Sequence, residues 1–159
     1  MAEIRQLVER LQQFEERLVQ FLSTVDAAQS SYKPATNEWS IREIVGHFID
    51  IDELYGERIN SMLESDNPAF AAFQPDAVVT AKQYHSQDLA TLLATYRERR
   101  QLTVDGLSTL EADELVRTAQ HAKFGTITVV QLIEILVNHD DVHWQQIQAN
   151  LAAYATHTA

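Results

Sequence analysis

Four stretches of the chain place apolar residues at the three- and four-residue spacing of one helix face, with polar residues between them. They cover approximately residues 3–23, 40–64, 87–106 and 128–154. Ser40 with Glu43, and Thr128 with Gln131, form capping boxes, in which two side chains satisfy the first free backbone amides of a helix. Ser86 is the candidate cap of the third helix. The pattern predicts an all-α protein.

The connections between these helices bear on topology. Residues 24–39 form a polar linker, whereas residues 65–85 lack clear periodicity and can extend to about 70 Å at ~3.3 Å per residue. A helix of similar residue count spans only about 30 Å, so the third helix can lie parallel to the second. Residues 108–127 are nearly as long, so length alone leaves the topology open, and the stretch HAKFGTIT is either extended or a small hairpin. We predict one four-helix bundle domain over residues 1–159, with a frayed tail after about Tyr154.

Composition supports long helices and limits the possible partners. The 159 residues include only 4 Gly and 3 Pro, and 45% of them are hydrophobic, which fits a folded helical protein with a real core. The formal net charge of −11 argues against binding to nucleic acid or to an anionic membrane surface.

Two further features suggest a cellular location. The chain contains no cysteine, and therefore no disulfide, thiolate metal site or catalytic thiol of its own. Its N-terminus, MAEIRQLVER, is charged and amphipathic rather than a signal peptide, and no apolar run is long enough to span a bilayer. We therefore expect a cytoplasmic protein.

Three histidines are the main candidates for chemistry. His139 and His143 interrupt the apolar stripe of the last helix at positions i and i+4, so they lie one turn apart on the same side. His47 is one turn from both Ile44 and Ile51 in the stripe of the second helix, and it also faces inward. Three imidazoles on two rigid helices can hold a divalent metal with an open position, as in catalytic zinc sites. Zinc is the first choice, and nickel, manganese and iron also accept imidazole.

Three acidic residues lie near these histidines in the sequence. Asp140 completes a His-Asp-x-x-His order similar to the His-Glu-x-x-His of zinc proteases, but its side chain is one methylene shorter. We interpret it as a surface acid or as support for a metal ligand. Asp50, one turn after His47, and Asp141 are interpreted as helix-surface acids, although Asp50 is also placed to orient a ligand or a water. No general base can be named. Three further histidines have no spacing relation to the site: His85, His121 and His157.

Two other features have structural interpretations. Residues 97–100, RERR, are interpreted as a solvated face, with an anionic substrate as the alternative partner. Trp39 and Trp144 are large apolar anchors. Trp144 adjoins His143, and packing in the core or an interface is preferred over lining a pocket.

Two motifs carry a resemblance to a known family. The stretch WSIREIVGH, from Trp39 to His47, resembles the second-helix signature of the DinB-like superfamily, in which a Trp-Ser pair begins a helix whose His binds a metal. FGTITVVQLIEILVNHDDVHWQQI resembles that family's last helix, which carries a His-x-x-x-His pair. Both motifs occur in the right order, about 90 residues apart. The resemblance implies that His47, His139 and His143 are the metal ligands of an up-down-down-up bundle.

The resemblance also implies a range of activities. Members of the family include transferases and isomerases that use low-molecular-weight thiols such as bacillithiol or mycothiol, and metal-dependent hydrolases. We therefore expect a metal-dependent S-transferase or hydrolase acting on a small molecule, in a chain that forms a homodimer. The alternative is a non-catalytic bundle that binds a metal or a small ligand. A third hypothesis is a helical interaction protein with buried neutral histidines.

Overall fold

The structure, a computed structural model, describes residues 2–159. Its helices are α1 (Ala2–Leu22), α2 (Ala27–Ser31), α3 (Ile41–Glu64), α4 (Pro75–Ala81), α5 (Leu89–Ser108) and α6 (Val129–Thr158). A 3₁₀ turn, Tyr84–Ser86, precedes α5, and two strands, β1 (Thr118–His121) and β2 (Gly125–Thr128), precede α6. The four long helices are those predicted from the apolar pattern, which confirms the all-α four-helix bundle.

The helix caps agree with the sequence at two of three positions. The Ser40 backbone N–H donates to Glu43 Oε2 at 2.7 Å, and the Ser40 hydroxyl accepts from the Glu43 N–H. Thr128 caps α6 in the same way. The prediction for α5 is wrong, because the carboxylate of Asp88 accepts from the Thr91 N–H at 3.0 Å, while Ser86 belongs to the 3₁₀ turn.

The connections contain more regular structure than their sequence suggests. The short helices α2 and α4 lie in the two segments predicted to be linkers, and α4 begins with Pro75, whose missing N–H costs nothing at that position. The segment before α6 forms the antiparallel hairpin β1–β2, one of the two alternatives expected for it. The expected fraying of the tail is wrong, since α6 continues to Thr158.

Two apolar clusters at opposite ends of the bundle fix the directions of the helices. One contains the C-terminal parts of α1 and α6 together with the N-terminal parts of α3 and α5, through Leu22, Ile147, Ile41 and Leu89. The other joins the opposite ends of the same helices. Helices α1 and α6 therefore run one way and α3 and α5 the other, which is the up-down-down-up topology.

Helix α3, which carries His47, lies beside the helix that carries the other two candidate histidines. It packs against α5 on one side and α6 on the other, while α1 contacts α5 and α6. The two helices that carry the candidate histidines are thus direct neighbours. Within residues 2–159, none of the helices combines the length and apolar character that crossing a membrane requires.

Candidate metal centre

His47 comes from the most deeply buried part of α3. Its side chain is flanked by buried Ile44, Phe48 and Ile51, and only 3% of the residue is exposed. The preceding residue, Gly46, leaves room for the Tyr84 ring, which lies where a Cβ would stand. The sequence packs this turn of α3 tightly, so the imidazole is held in one place.

The structure brings the three predicted histidines together. His47 Nε2 lies 2.8 Å from His139 Nε2, and one ring nitrogen from each of His47, His139 and His143 lies within 4.8 Å of the other two. Zinc–nitrogen bonds of about 2.0–2.1 Å at tetrahedral angles place two ligand nitrogens about 3.3–3.4 Å apart. Separations between 2.8 and 4.8 Å bracket that value.

The three imidazoles are neutral near pH 7, as metal ligands must be. Burial, and then the charge of His143, lowers the pKa of His47 to about 3. Burial, followed by the charges of His143, His47 and Arg100, lowers the pKa of His139 to about 2. Burial also lowers the pKa of His143. Each ring therefore keeps one nitrogen lone pair available.

Gln146 determines which nitrogen of His143 carries the proton. His143 Nδ1 lies 2.7 Å from Gln146 Oε1, which is only an acceptor, so Nδ1 carries the proton and donates it. Nε2 is left with its lone pair, as in metal sites where a hydrogen bond to the far nitrogen orients the ligand. Gln146 is not among the residues predicted for the site, although its i+3 spacing from His143 was a usable signal.

Aromatic rings surround the imidazoles on several sides. The Trp39 ring centre lies 4.7 Å from that of His47 and is nearly parallel to His143, and the Phe73 ring is nearly parallel to His47. Asn150 Nδ2 donates to the Trp39 carbonyl at 2.7 Å and holds the Trp39 backbone in place. The sequence signals missed Phe73, because it lies in an aperiodic segment. His139 and His143 are half-buried, whereas His47 is buried, so the centre is only partly shielded from solvent.

The donor set fits a divalent transition metal. Three neutral nitrogens converge, they come from two rigid helices, and two of the three residues are only half-buried. The far Nδ1 atoms of His47 and His139 are buried, and no hydrogen-bond partner is available to either within the described part of the chain.

Two of the three nearby acids are buried, which excludes the surface interpretation of Asp140 and Asp50 and leaves their other interpretations untested. Asp140 is not a surface residue, because it is 1% exposed and accepts two hydrogen bonds from Arg100. Asp50 is also buried, and its Oδ1 accepts from the Tyr84 hydroxyl at 2.7 Å and from Lys82. Asp141 is a helix-surface acid as predicted, paired with Arg10 at 2.9 Å.

The basic cluster of α5 divides into exposed and buried members. Arg97 pairs with Glu15 at the surface, as the solvated-face interpretation predicts. That interpretation is wrong for Arg100, which is 1% exposed and bonds Asp52 and Asp140 at the centre of the bundle. Burial raises the pKa of Asp140 to about 6, and the charge of Arg100 opposes this rise.

The remaining histidines and Trp144 lie outside the centre. His85 bonds the Ser40 hydroxyl, His121 lies in the β1–β2 hairpin, and His157 stacks on Tyr32. Trp144 packs against Phe14 and Phe21 on the other side of α6, in agreement with the packing interpretation.

Several solved structures share this fold. YfiT from Bacillus subtilis, described as a probable metal-dependent hydrolase with an unusual four-helix bundle topology, is 20% identical, with a TM-score of 0.85 over 96% of this chain and 87% of its own. The mycothiol-dependent maleylpyruvate isomerase is 10% identical, with a TM-score of 0.72 over 88% of this chain, which spans only 58% of that protein. The DinB-like protein YjoA of Bacillus subtilis is 18% identical, with a TM-score of 0.63 and coverage of 94% and 92%.

The sequence itself carries the family assignment. Comparison with curated proteins gives no significant match. A sequence model of the DinB superfamily, in contrast, matches residues 10–147, which include α3, α5 and all three histidines of the centre. The chain belongs to the DinB superfamily.

Proposed function

We propose that this protein is a metal-dependent enzyme, a hydrolase or a thiol-dependent S-transferase, that acts on a small molecule at the three-histidine centre. The observation that carries the proposal is the convergence of His47, His139 and His143 on one partly accessible point. Neutral nitrogen donors in this number and with an open side are typical of catalytic rather than structural zinc sites.

The residues of the centre have separate roles. His47, His139 and His143 hold the metal, and Gln146 keeps His143 in the productive tautomer. A divalent metal supplies Lewis acidity, which brings the pKa of a neighbouring water or thiol close to neutral. Trp39 and Phe73 exclude bulk water from two sides and offer apolar surface to a substrate.

The solved relatives support both chemistries. YfiT is described as a metal-dependent hydrolase, and the isomerase as mycothiol-dependent. Because this chain contains no cysteine, a thiol must come from a separate small molecule. Zinc is the proposed metal, and nickel, manganese or iron would suit the same nitrogens. The homodimer and the cytoplasmic location stay predictions.

Metal content tests the proposal directly. Plasma mass spectrometry on untagged protein should find about one divalent metal per chain, as a three-ligand centre requires. His47→Ala should lose that metal, whereas His157→Ala, which changes a histidine stacked on Tyr32, should keep it. Equal metal content in the wild type and both variants would show that the centre is assigned wrongly.

Catalysis is tested on the reconstituted protein. Panels of small esters and amides, and of electrophiles offered with a low-molecular-weight thiol, should reveal turnover that His143→Ala abolishes. Turnover at an equal rate in the wild type and this variant would contradict a role for the centre in the reaction.

A further inference from the structure

Arg58 is a buried cation without a carboxylate partner. The residue is 9% exposed, and its Nη2 donates to the Ala71 carbonyl at 3.2 Å. Its guanidinium lies 4.9 Å from the centre of the Phe70 ring. Among residues 2–159, no carboxylate lies within ion-pairing distance of Arg58, whereas the other buried guanidinium, that of Arg100, has two. Burial of a charge without a counter-ion is unfavourable, so an anion bound beside this guanidinium would be stabilised by it.

The hairpin places His121 beside this guanidinium in a defined tautomer. His121 Nδ1 accepts from the backbone N–H groups of Lys123 and Phe124, at 3.1 and 3.3 Å. A nitrogen that accepts a hydrogen bond carries no proton, so in the neutral ring the proton is on Nε2. Burial and the charges of Arg58 and Lys123 lower the pKa of His121, which favours the neutral ring.

Two donors therefore face each other. Arg58 Nη1 and His121 Nε2 are 3.4 Å apart, and in this tautomer neither can accept from the other. An oxygen atom beside the pair, about 2.8 Å from each nitrogen, would accept from both. Phe124 stands beside His121 with 47% of its surface exposed, so the pair lies near solvent.

Arg58 lies on the face of α3 that also carries His47. Arg58 follows His47 by eleven residues on α3, or three turns and about 16 Å, on the same helix face. Ala71, which accepts from Arg58, is only two residues from Phe73, whose ring lies over His47. Partly buried Leu54 stands between His47 and Arg58 on α3, and partly buried Ile135 is one turn before His139 on α6.

We propose that Arg58 and the Nε2–H of His121 form a carboxylate-binding subsite that holds the acidic group of the substrate while its other end reacts at the histidine centre. The guanidinium fork matches the geometry of a carboxylate. One cation balances one negative charge, whereas a phosphate dianion would leave excess negative charge in a protein of net charge −11. The link to the reaction rests on the proposed function, but the anion site itself does not.

Nitrogen NMR of metal-free protein labelled in its histidine rings tests the subsite without any substrate. The spectrum should show the Nε2–H tautomer for His121. Sodium acetate, added at constant ionic strength, should shift the His121 ring signals saturably, and acetamide should leave them in place. An Nδ1–H tautomer, or equal shifts with acetate and acetamide, would overturn the proposal. Tighter binding of inorganic phosphate than of acetate would contradict the choice of a carboxylate.

Matched arginine variants test whether Arg58 is the residue that binds acetate. Arg58→Gln should weaken acetate binding at least tenfold, whereas Arg97→Gln, which changes an exposed arginine paired with Glu15, should leave it unchanged. Arg58→Lys keeps the charge but loses the fork, and serves if Arg58→Gln does not fold; it should bind acetate several-fold more weakly than the wild type. Wild-type affinity in Arg58→Lys, or equal losses in the Arg58→Gln and Arg97→Gln variants, would refute the assignment.

The experiment separates this inference from the proposed function. Acetate binding is measured without metal. If the protein binds acetate but no metal, the proposed metal-dependent enzyme is contradicted and the anion site is supported. If the protein binds metal at the three histidines but no acetate, the metal centre is supported and the carboxylate subsite is contradicted.

Discussion

Arg100 and Asp140 form a two-pronged ion pair immediately beside a candidate metal ligand. Arg100 Nη1 lies 2.6 Å from Asp140 Oδ2, and Nη2 lies 3.0 Å from Oδ1. The third side of the guanidinium, Nε, donates to both oxygens of Asp52 at 3.0 Å. Asp140 directly follows His139, and Asp52 is on the helix that carries His47. One arginine of α5 thus links the two helices of the metal centre.

Removal of this arginine should destabilise the fold strongly. Arg100→Met leaves the carboxylates of Asp52 and Asp140 buried without a cation, a change that costs about 3–5 kcal/mol. Urea unfolding measures the loss. The control is Arg97→Met, whose side chain is 61% exposed in its pair with Glu15, so that pair contributes about 1 kcal/mol or less. Losses of similar size in the two variants would show that the buried ion pairs of Arg100 contribute no more to stability than the exposed pair of Arg97.

Most of the site follows from local patterns, but Arg100 does not. The capping boxes and the i, i+4 histidines depend on near neighbours in sequence, so the chain reveals them directly. Arg100 stands in a run of charges whose composition suggests a surface, and its partners are 48 and 40 residues away. Its spacing of four residues from buried Tyr96 was the signal that it faces inward. Phe73 had no such signal, because only tertiary contacts place it over His47.

Gln146 should tune metal affinity without binding the metal. Gln146→Leu removes the acceptor that holds His143 Nδ1–H, so the ring is free to change tautomer, and metal affinity should fall about 10–100-fold. Chelator competition on the reconstituted protein gives the dissociation constant. Gln145→Leu alters the exposed neighbouring glutamine and should match the wild type. If the two variants bind metal equally well, Gln146 does not orient His143.

Two glycines of α3 should respond in opposite directions to the same substitution. In Gly46→Ala the new Cβ overlaps the Tyr84 ring, which must move away from Asp50, and the variant should lose about 1–3 kcal/mol of stability. Nothing lies within 4 Å of a Cβ at Gly56, so Gly56→Ala should gain about 0.5–1 kcal/mol from its better helix propensity. Thermal or urea unfolding compares them. A stabilised Gly46→Ala variant would mean that the Tyr84 ring does not occupy the position of the new Cβ.

Glu43 should make the stability of the bundle depend on pH in the acid range. Burial raises its pKa, but hydrogen bonds from Ser40 and Lys33 outweigh burial, so the pKa lies below the ordinary 4.5. Above pH 4.5 the carboxylate is ionised in both the folded and the unfolded chain, and its contribution is complete. As the pH falls below 4.5 the unfolded chain takes up the proton first, so this contribution is progressively lost.

The charge-neutral variant Glu43→Gln isolates that contribution. At pH 7 it should be less stable than the wild type by about 1 kcal/mol, because an ionised cap acceptor is replaced by an amide. Below pH 4.5 the difference in free energy of unfolding should shrink, because the wild type loses the stabilisation by ionised Glu43, which the variant lacks at every pH. Urea unfolding over this pH range measures both, with Glu9→Gln on the exposed face of α1 as the control. A difference that stays constant with pH would show that the charge of Glu43 contributes nothing to the cap.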